Sequence, residues 1–195
     1  MLENILVLNK VNTKTKIAIK TLIAIGLVAC AVGLPQIVHL FAGAQGGMLW
    51  LPMYLPVLIG GCLLGTWWGL GIGVMSPICS FLITSLTGNA MPALARLPFM
   101  VVELAVFAVV AGLFSKKIAD NKWLAFPAVL LAQLSGRLAF IIMTAIFGGV
   151  SNFSVATVLS QIQTGLIGLY LQAIIVPLII IGLSTLLKRE KHNDR

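Results

Sequence analysis

Between positions 17 and 187 the chain is a succession of apolar runs, most of them long enough to cross the hydrocarbon core of a bilayer. A helical span needs about 20 predominantly apolar residues. Inside hydrocarbon every backbone N–H and C=O must find its partner within the protein, and a helix does this within one segment. The runs therefore predict an all-α integral membrane protein, a single transmembrane domain over residues 1–195. Its six expected helices lie at about residues 17–34, 48–64, 70–86, 96–114, 123–147 and 161–187. Composition supports this: 59% of residues are hydrophobic and 9% charged, with mean hydropathy +1.08. Soluble domains carry about 25% charged residues, so a soluble chain of this kind could not cover its surface.

The net charge of +8 could signal nucleic-acid binding, but its placement argues against it. The basic residues flank apolar runs and form no basic face. With the N-terminus inside, one side of the membrane collects Lys10, Lys14, Lys16, Lys20, Lys116, Lys117, Lys122, Lys188, Arg189, Lys191 and Arg195. The outer loops hold no Lys or Arg unless Arg96 is counted there. Six spans with both termini cytoplasmic satisfy the positive-inside rule, whereas an odd number would split the basic tails. Residues 27–30 (LVAC) match a lipobox, but small residues before a cysteine arise readily in apolar helices, and everything downstream reads as membrane. Cys30, Cys62 and Cys79 lack metal or redox spacing and read as buried small hydrophobes.

With Lys20 counted among the inner basic residues, three charges are left over inside the apolar runs: Arg96, Glu103 and Arg137. An ionisable residue in the membrane is a functional-site hypothesis by default. Arg96 and Glu103 are seven residues apart, hence on one helix face and about 10 Å apart along the axis. Arg137 lies at a depth similar to that of Glu103, so the two can pair. That pair could simply neutralise itself and stitch two helices together, and Arg96 could be a snorkelling interfacial residue. The functional alternative is that two arginines against one glutamate leave one positive charge for an anionic ligand. A guanidinium suits a carboxylate in a bidentate grip.

Residues 35–47 are expected to form an uncharged outer loop carrying Gln36 and His39, both candidate ligand contacts. His39 has no second histidine nearby and reads more readily as a loop residue than as a metal ligand. Asn89 in the next outer loop, residues 87–95, could bond a ligand or serve as a turn residue beside Gly88. Gln161 and Gln172 are eleven apart and share a face of the last helix, suited to interhelical hydrogen bonds or, for Gln161, to ligand. Tyr170 and the four tryptophans read as interfacial anchors or packing. There is no phosphate-loop motif, so ATP hydrolysis is not expected of this chain. No nucleophilic triad, metal site or cofactor is expected either.

Several pieces of the sequence carry a resemblance. They are LPMYLPVLIGG from Leu51, GVMSPICSFL from Gly73, LPFM from Leu97 with Glu103-Leu104-Ala105, and Ala111-Gly112-Leu113. In this order, with six spans and basic ends, the chain resembles the substrate-binding S components of energy-coupling-factor (ECF) vitamin transporters. The resemblance implies a small vitamin bound near the outer face, with residues 35–47 and 87–95 as lids. It also implies docking onto an ECF transmembrane coupling subunit that carries two ATPase subunits, in a prokaryotic cytoplasmic membrane. Members of the family often dock through an Ala-x-x-x-Ala face on the first helix. Here only Ala24 fits that register, although Ala18 and Ala29 keep the helix rich in small residues. The acidic motif of riboflavin-binding members is missing.

The leading expectation is thus a transport subunit, not an enzyme, that binds a vitamin-like molecule bearing a carboxylate, such as niacin, pantothenate or lipoate. Arg96, Arg137, Glu103, Asn89, His39, Gln36 and Gln161 are its candidate ligand-binding residues. Competing expectations are a structural or assembly subunit without a ligand and, less readily, an intramembrane enzyme using Glu103 as acid/base.

Overall fold

The structure is a computed structural model and describes residues 12–88, 90–151 and 155–193. The described chain is helical throughout its regular structure: α1 Thr13–Trp50, α2 Tyr54–Leu64, α3 Thr66–Leu86, α4 Leu97–Leu113, a short α5 Ser115–Asp120, a 3-10 turn Lys122–Leu124, α6 Ala125–Ser151 and α7 Val155–Asn193. Five stretches among the described residues are long and apolar enough to cross a membrane: Thr13–Gly43, Gln45–Leu64, Thr66–Leu86, Lys122–Gly148 and Leu159–Thr185. Helix α4, with 17 residues, sits at the lower limit of about 17 for a span.

The outside of the molecule is largely apolar, and several polar and charged groups are buried inside. Leu40, Phe41, Trp67, Leu86 and Ile146 are exposed, while Glu103, Gln133, Arg137 and Gln172 are buried. A surface of this kind suits lipid, where apolar side chains gain nothing from hiding and polar ones must be satisfied inside.

Two expectations about helix ends need correction. The first helix does not stop at Pro35, and residues 35–47 are not an open loop. The helix runs on to Trp50 and is broken only at Gly43 (φ 63°, ψ −168°). Proline removes one ladder hydrogen bond, but the neighbouring residues of a membrane helix tolerate this. The uncharged, mostly apolar residues after Pro35 keep their backbone bonded by staying helical, and the break falls where a glycine accepts positive φ. The last helix likewise begins at Val155, ahead of the expected 161.

Helix α4 is the hub. It packs against α2, α3 and α6, and buries Phe99, Glu103, Leu104, Phe107, Ala108, Ala111 and Gly112. Glycines let its neighbours come to backbone contact. A Cβ on Gly61 of α2 would lie 2.6 Å from the Ala108 carbonyl oxygen, and one on Gly73 of α3 would lie 2.6 Å from that of Leu104. Small residues at such seams are how membrane helices gain close packing. The main core runs from Tyr54, Val57 and Leu58 through Leu104, Phe107 and Ala108 to Val129, Val176 and Ile180.

Helix α1 is the opposite case: in its most apolar window only 6% of residues are buried. Ala18 and Ala29 are exposed along it, and Ala24 is half-buried against the core. Cys30 is exposed on the same helix, against the expectation of burial, whereas Cys62 is buried. Lys122 Nζ donates to Thr185 Oγ1 (3.2 Å), which brings the polar turn after α5 to the end of α7 near the basic tail.

Gly73→Ala should lower stability by about 1–3 kcal/mol through overpacking against α4. Gly71→Ala, where a Cβ meets nothing within 4 Å, should be neutral. Thermal unfolding of both variants in detergent checks the contrast.

Candidate functional site

The buried charges assemble around Glu103, which is 1% exposed. Arg137 Nη1 of α6 donates to Glu103 Oε1 at 2.7 Å, and the Tyr54 hydroxyl of α2 donates to Oε2 at 2.7 Å. The Arg137 guanidinium also lies 5.2 Å from the Tyr54 ring centroid, and Tyr54 meets Phe107 edge-on at 5.1 Å. Both carboxylate oxygens are therefore engaged, and three helices meet at one carboxylate. Arg137 keeps two donors, Nε and Nη2, without a hydrogen-bond partner. Nη2 points toward α7, 3.5 Å from where a Cβ on Gly165 would sit.

Above this set lies a cavity of about 340 Å³. This is near the small end of the roughly 300–1,000 Å³ range of ligand pockets. Helix α1 contributes Pro35, His39, Gly47 and Met48, and the bend after it contributes Leu51 to Tyr54. Ser80 of α3, Met91 to Ala93 and Arg96 of the following loop, and Met100 of α4 close the other side.

Each wall is fixed by an identifiable bond. His39 Nδ1 donates to the Gly43 carbonyl (3.0 Å) and fastens the break in α1. Leu51, which ends α1, adopts a left-handed conformation (φ 48°, ψ 51°), uncommon for a residue with a side chain. Gln172 Nε2 of α7 donates to the Trp50 and Leu51 carbonyls (3.0 and 2.9 Å) and satisfies these helix-end acceptors. On the opposite wall the Ser80 hydroxyl donates to the Met91 carbonyl (2.8 Å), and the Met91 N–H donates to the Thr84 hydroxyl (2.7 Å).

The structure sorts the expected site residues. Arg96 is the N-cap residue of α4, half-buried on the cavity wall, with its Nε buried and without a partner. His39 is also on the wall. Glu103 and Arg137 lie behind Tyr54 and do not line the cavity. Gln36 and Gln161 are half-buried off the wall, with Nε2 and Oε1 respectively lacking partners. Asn89 lies outside the described residues. Gln172 makes the interhelical bonds that its spacing suggested. Sequence reasoning gave no role to Tyr54, Ser80 or the four wall methionines. For Tyr54 a signal existed, because a phenol in an apolar run needs a polar partner when buried. Among the described residues no group of three or more His, Cys, Asp or Glu could hold a metal ion.

Glu103→Gln leaves a buried, uncompensated Arg137 and should destabilise the fold by roughly 3–5 kcal/mol. Tyr54→Phe removes one hydrogen bond to the carboxylate and should cost less, about 1–3 kcal/mol. Unfolding midpoints of the two variants in detergent give the order.

No curated protein and no solved structure matches the chain. A family model does: that of the ECF transporter substrate-specific component matches residues 14–180, from the start of α1 well into α7. The match covers nearly all of the membrane-capable helices and the whole cavity. The chain is a multi-pass membrane protein and belongs to the family of substrate-specific components of ECF transporters.

Proposed function

We propose that this substrate-binding subunit captures a small, carboxylate-bearing micronutrient of the vitamin type in the cavity beside Arg96. It then hands the ligand to an ECF transmembrane coupling subunit powered by two ATPase subunits. The observation that carries this reading is the division of the buried charges. Glu103 neutralises Arg137, so the one positive charge left over is Arg96, on the cavity wall with an unpartnered Nε. A guanidinium so placed can grip a carboxylate in a charge-assisted bond. The cavity and the uncommitted cation favour ligand capture over a purely structural subunit, and the chain itself performs no chemical reaction.

Six membrane crossings with cytoplasmic termini, in a prokaryotic cytoplasmic membrane, fit this role. The 17 residues of α4 would then be the shortest span. Lys122 bonds Thr185 of α7, so the end of the bundle at the turn after α5 is the one from which the basic tail follows in sequence, and the positive-inside rule makes that end cytoplasmic. The cavity is lined by Ser80 of α3, by the loop that follows α3 and by Met100 near the start of α4, which in this topology is the outer end. His39, the off-wall Gln36 and Gln161, and Asn89, which lies outside the described residues, are secondary candidates for ligand contact. Residues 35–47 and 87–95 serve as lids, the first a hinged helical segment and not a loop. The exposed α1 face with Ala18 and Ala29, next to Ala24, is the proposed docking surface for the coupling subunit.

Arg96→Ala should weaken ligand binding roughly 10- to 100-fold, the worth of one charge-assisted hydrogen bond or slightly more. The unfolding midpoint of the ligand-free protein should barely move, because Arg96 is not part of the Glu103 set. Mass spectrometry of co-purified ligand, with calorimetry once the ligand is known, checks this. Full retention of ligand by a folded Arg96→Ala protein would remove the proposed anchor.

A further inference from the structure

Most polar groups on the cavity wall are already committed to the protein. The Tyr54 hydroxyl donates to Glu103, and the Ser80 hydroxyl donates to the Met91 carbonyl. His39 commits Nδ1 to the Gly43 carbonyl. Among the described lining residues this leaves Arg96 as the strong donor free to meet a ligand. Among the described lining residues none is acidic, so a cationic group would find no counter-charge there. The remaining wall is mainly apolar, and Met48, Met53, Met91 and Met100 surround the space from both sides. Thioether side chains are flexible and polarizable, so they mould to an apolar body and contact aromatic rings favourably.

A ligand rich in hydroxyl or amide groups would give up water here and find few partners. Such unmet groups are what make a site reject a ligand strongly. We infer that the site selects a monoanion whose compact body is free of hydrogen-bonding groups, aryl or alkyl, seated with its acid on Arg96 and its body among the four methionines. The inference rests on the reading of Arg96 as the anion contact, and it narrows that reading from carboxylates in general to those with an apolar body.

Three probes separate the claims: 3-phenylpropanoate, its uncharged amide 3-phenylpropanamide, and gluconate, an acid of equal charge with a hydroxylated body. Each is titrated calorimetrically into the full chain in lipid nanodiscs. Phenylpropanoate should bind at least about tenfold more tightly than gluconate, because several hydroxyls would go unmet. It should also exceed its amide by about tenfold or more, because the amide lacks the charge. Gluconate binding as tightly as phenylpropanoate overturns the apolar-body inference and leaves the Arg96 reading standing. An amide that equals its acid overturns the Arg96 reading itself, and failure of both acids to bind overturns both. Met48 is 38% exposed and Met91 is half-buried, so the double variant M48Q/M91Q adds polar groups where the fold tolerates them. It should lower the phenylpropanoate-to-gluconate preference about fivefold or more, and an unchanged preference would rule out the methionine wall as its source.

Discussion

A single buried carboxylate sets the arrangement of this bundle. Glu103 sits on the hub helix α4 and draws Arg137 from α6 and Tyr54 from α2 to its two oxygens, each at 2.7 Å. Compared with an apolar core, such a pair contributes little net stability, because desolvation offsets most of the attraction. Its effect is on specificity: with one partner missing, a charge would be stranded away from water, so the three helices have one satisfactory way to meet. The same pairing decides the electrostatics above it. Arg96 lies seven residues before Glu103 on α4, and with Arg137 neutralised it supplies the charge that the cavity presents.

The cavity walls follow a related logic. The backbone departs from regular helix at Gly43, at Leu51 and around Met91, and each departure is held by a side chain from a neighbouring position or element: His39, Gln172, and the Ser80–Thr84 pair. Irregular backbone at membrane depth is tolerated only where protein or a cavity satisfies it. Because these polar groups turn inward to hold the backbone, the side left facing the cavity is mainly apolar, with Arg96 as its charged group. Formation of the walls and the selectivity proposed for the site thus trace to the same hydrogen bonds.

Much of this was legible in the sequence because hydrocarbon leaves few options. Apolar runs bounded by basic tails point to helices. The depths of Glu103 and Arg137 suggested their pairing, and the heptad spacing put Arg96 on the face of Glu103. The path of residues 35–47 was not legible. Pro35 and a cluster of glycines read as a loop by rules learned in water, where a broken backbone can bond solvent. In a membrane the segment keeps its helix and bends only at Gly43. The role of Tyr54 and the gathering of Met48, Met53, Met91 and Met100 were also hidden. In an apolar run these residue types look like core filler, and only the tertiary fold brings positions this far apart around one space. The small-residue pattern of α1 gave a helix rich in alanine but not its exposure, which depends on what the other helices leave uncovered.

The division of roles between the two arginines is tested most directly by an experimental structure of the protein with its co-purified ligand. An anionic group within hydrogen-bond distance of the Arg96 guanidinium, above an intact Glu103–Arg137 pair, is the expected result. A ligand whose anionic group sits on Arg137 with that pair opened, or one bound outside the cavity, would contradict it.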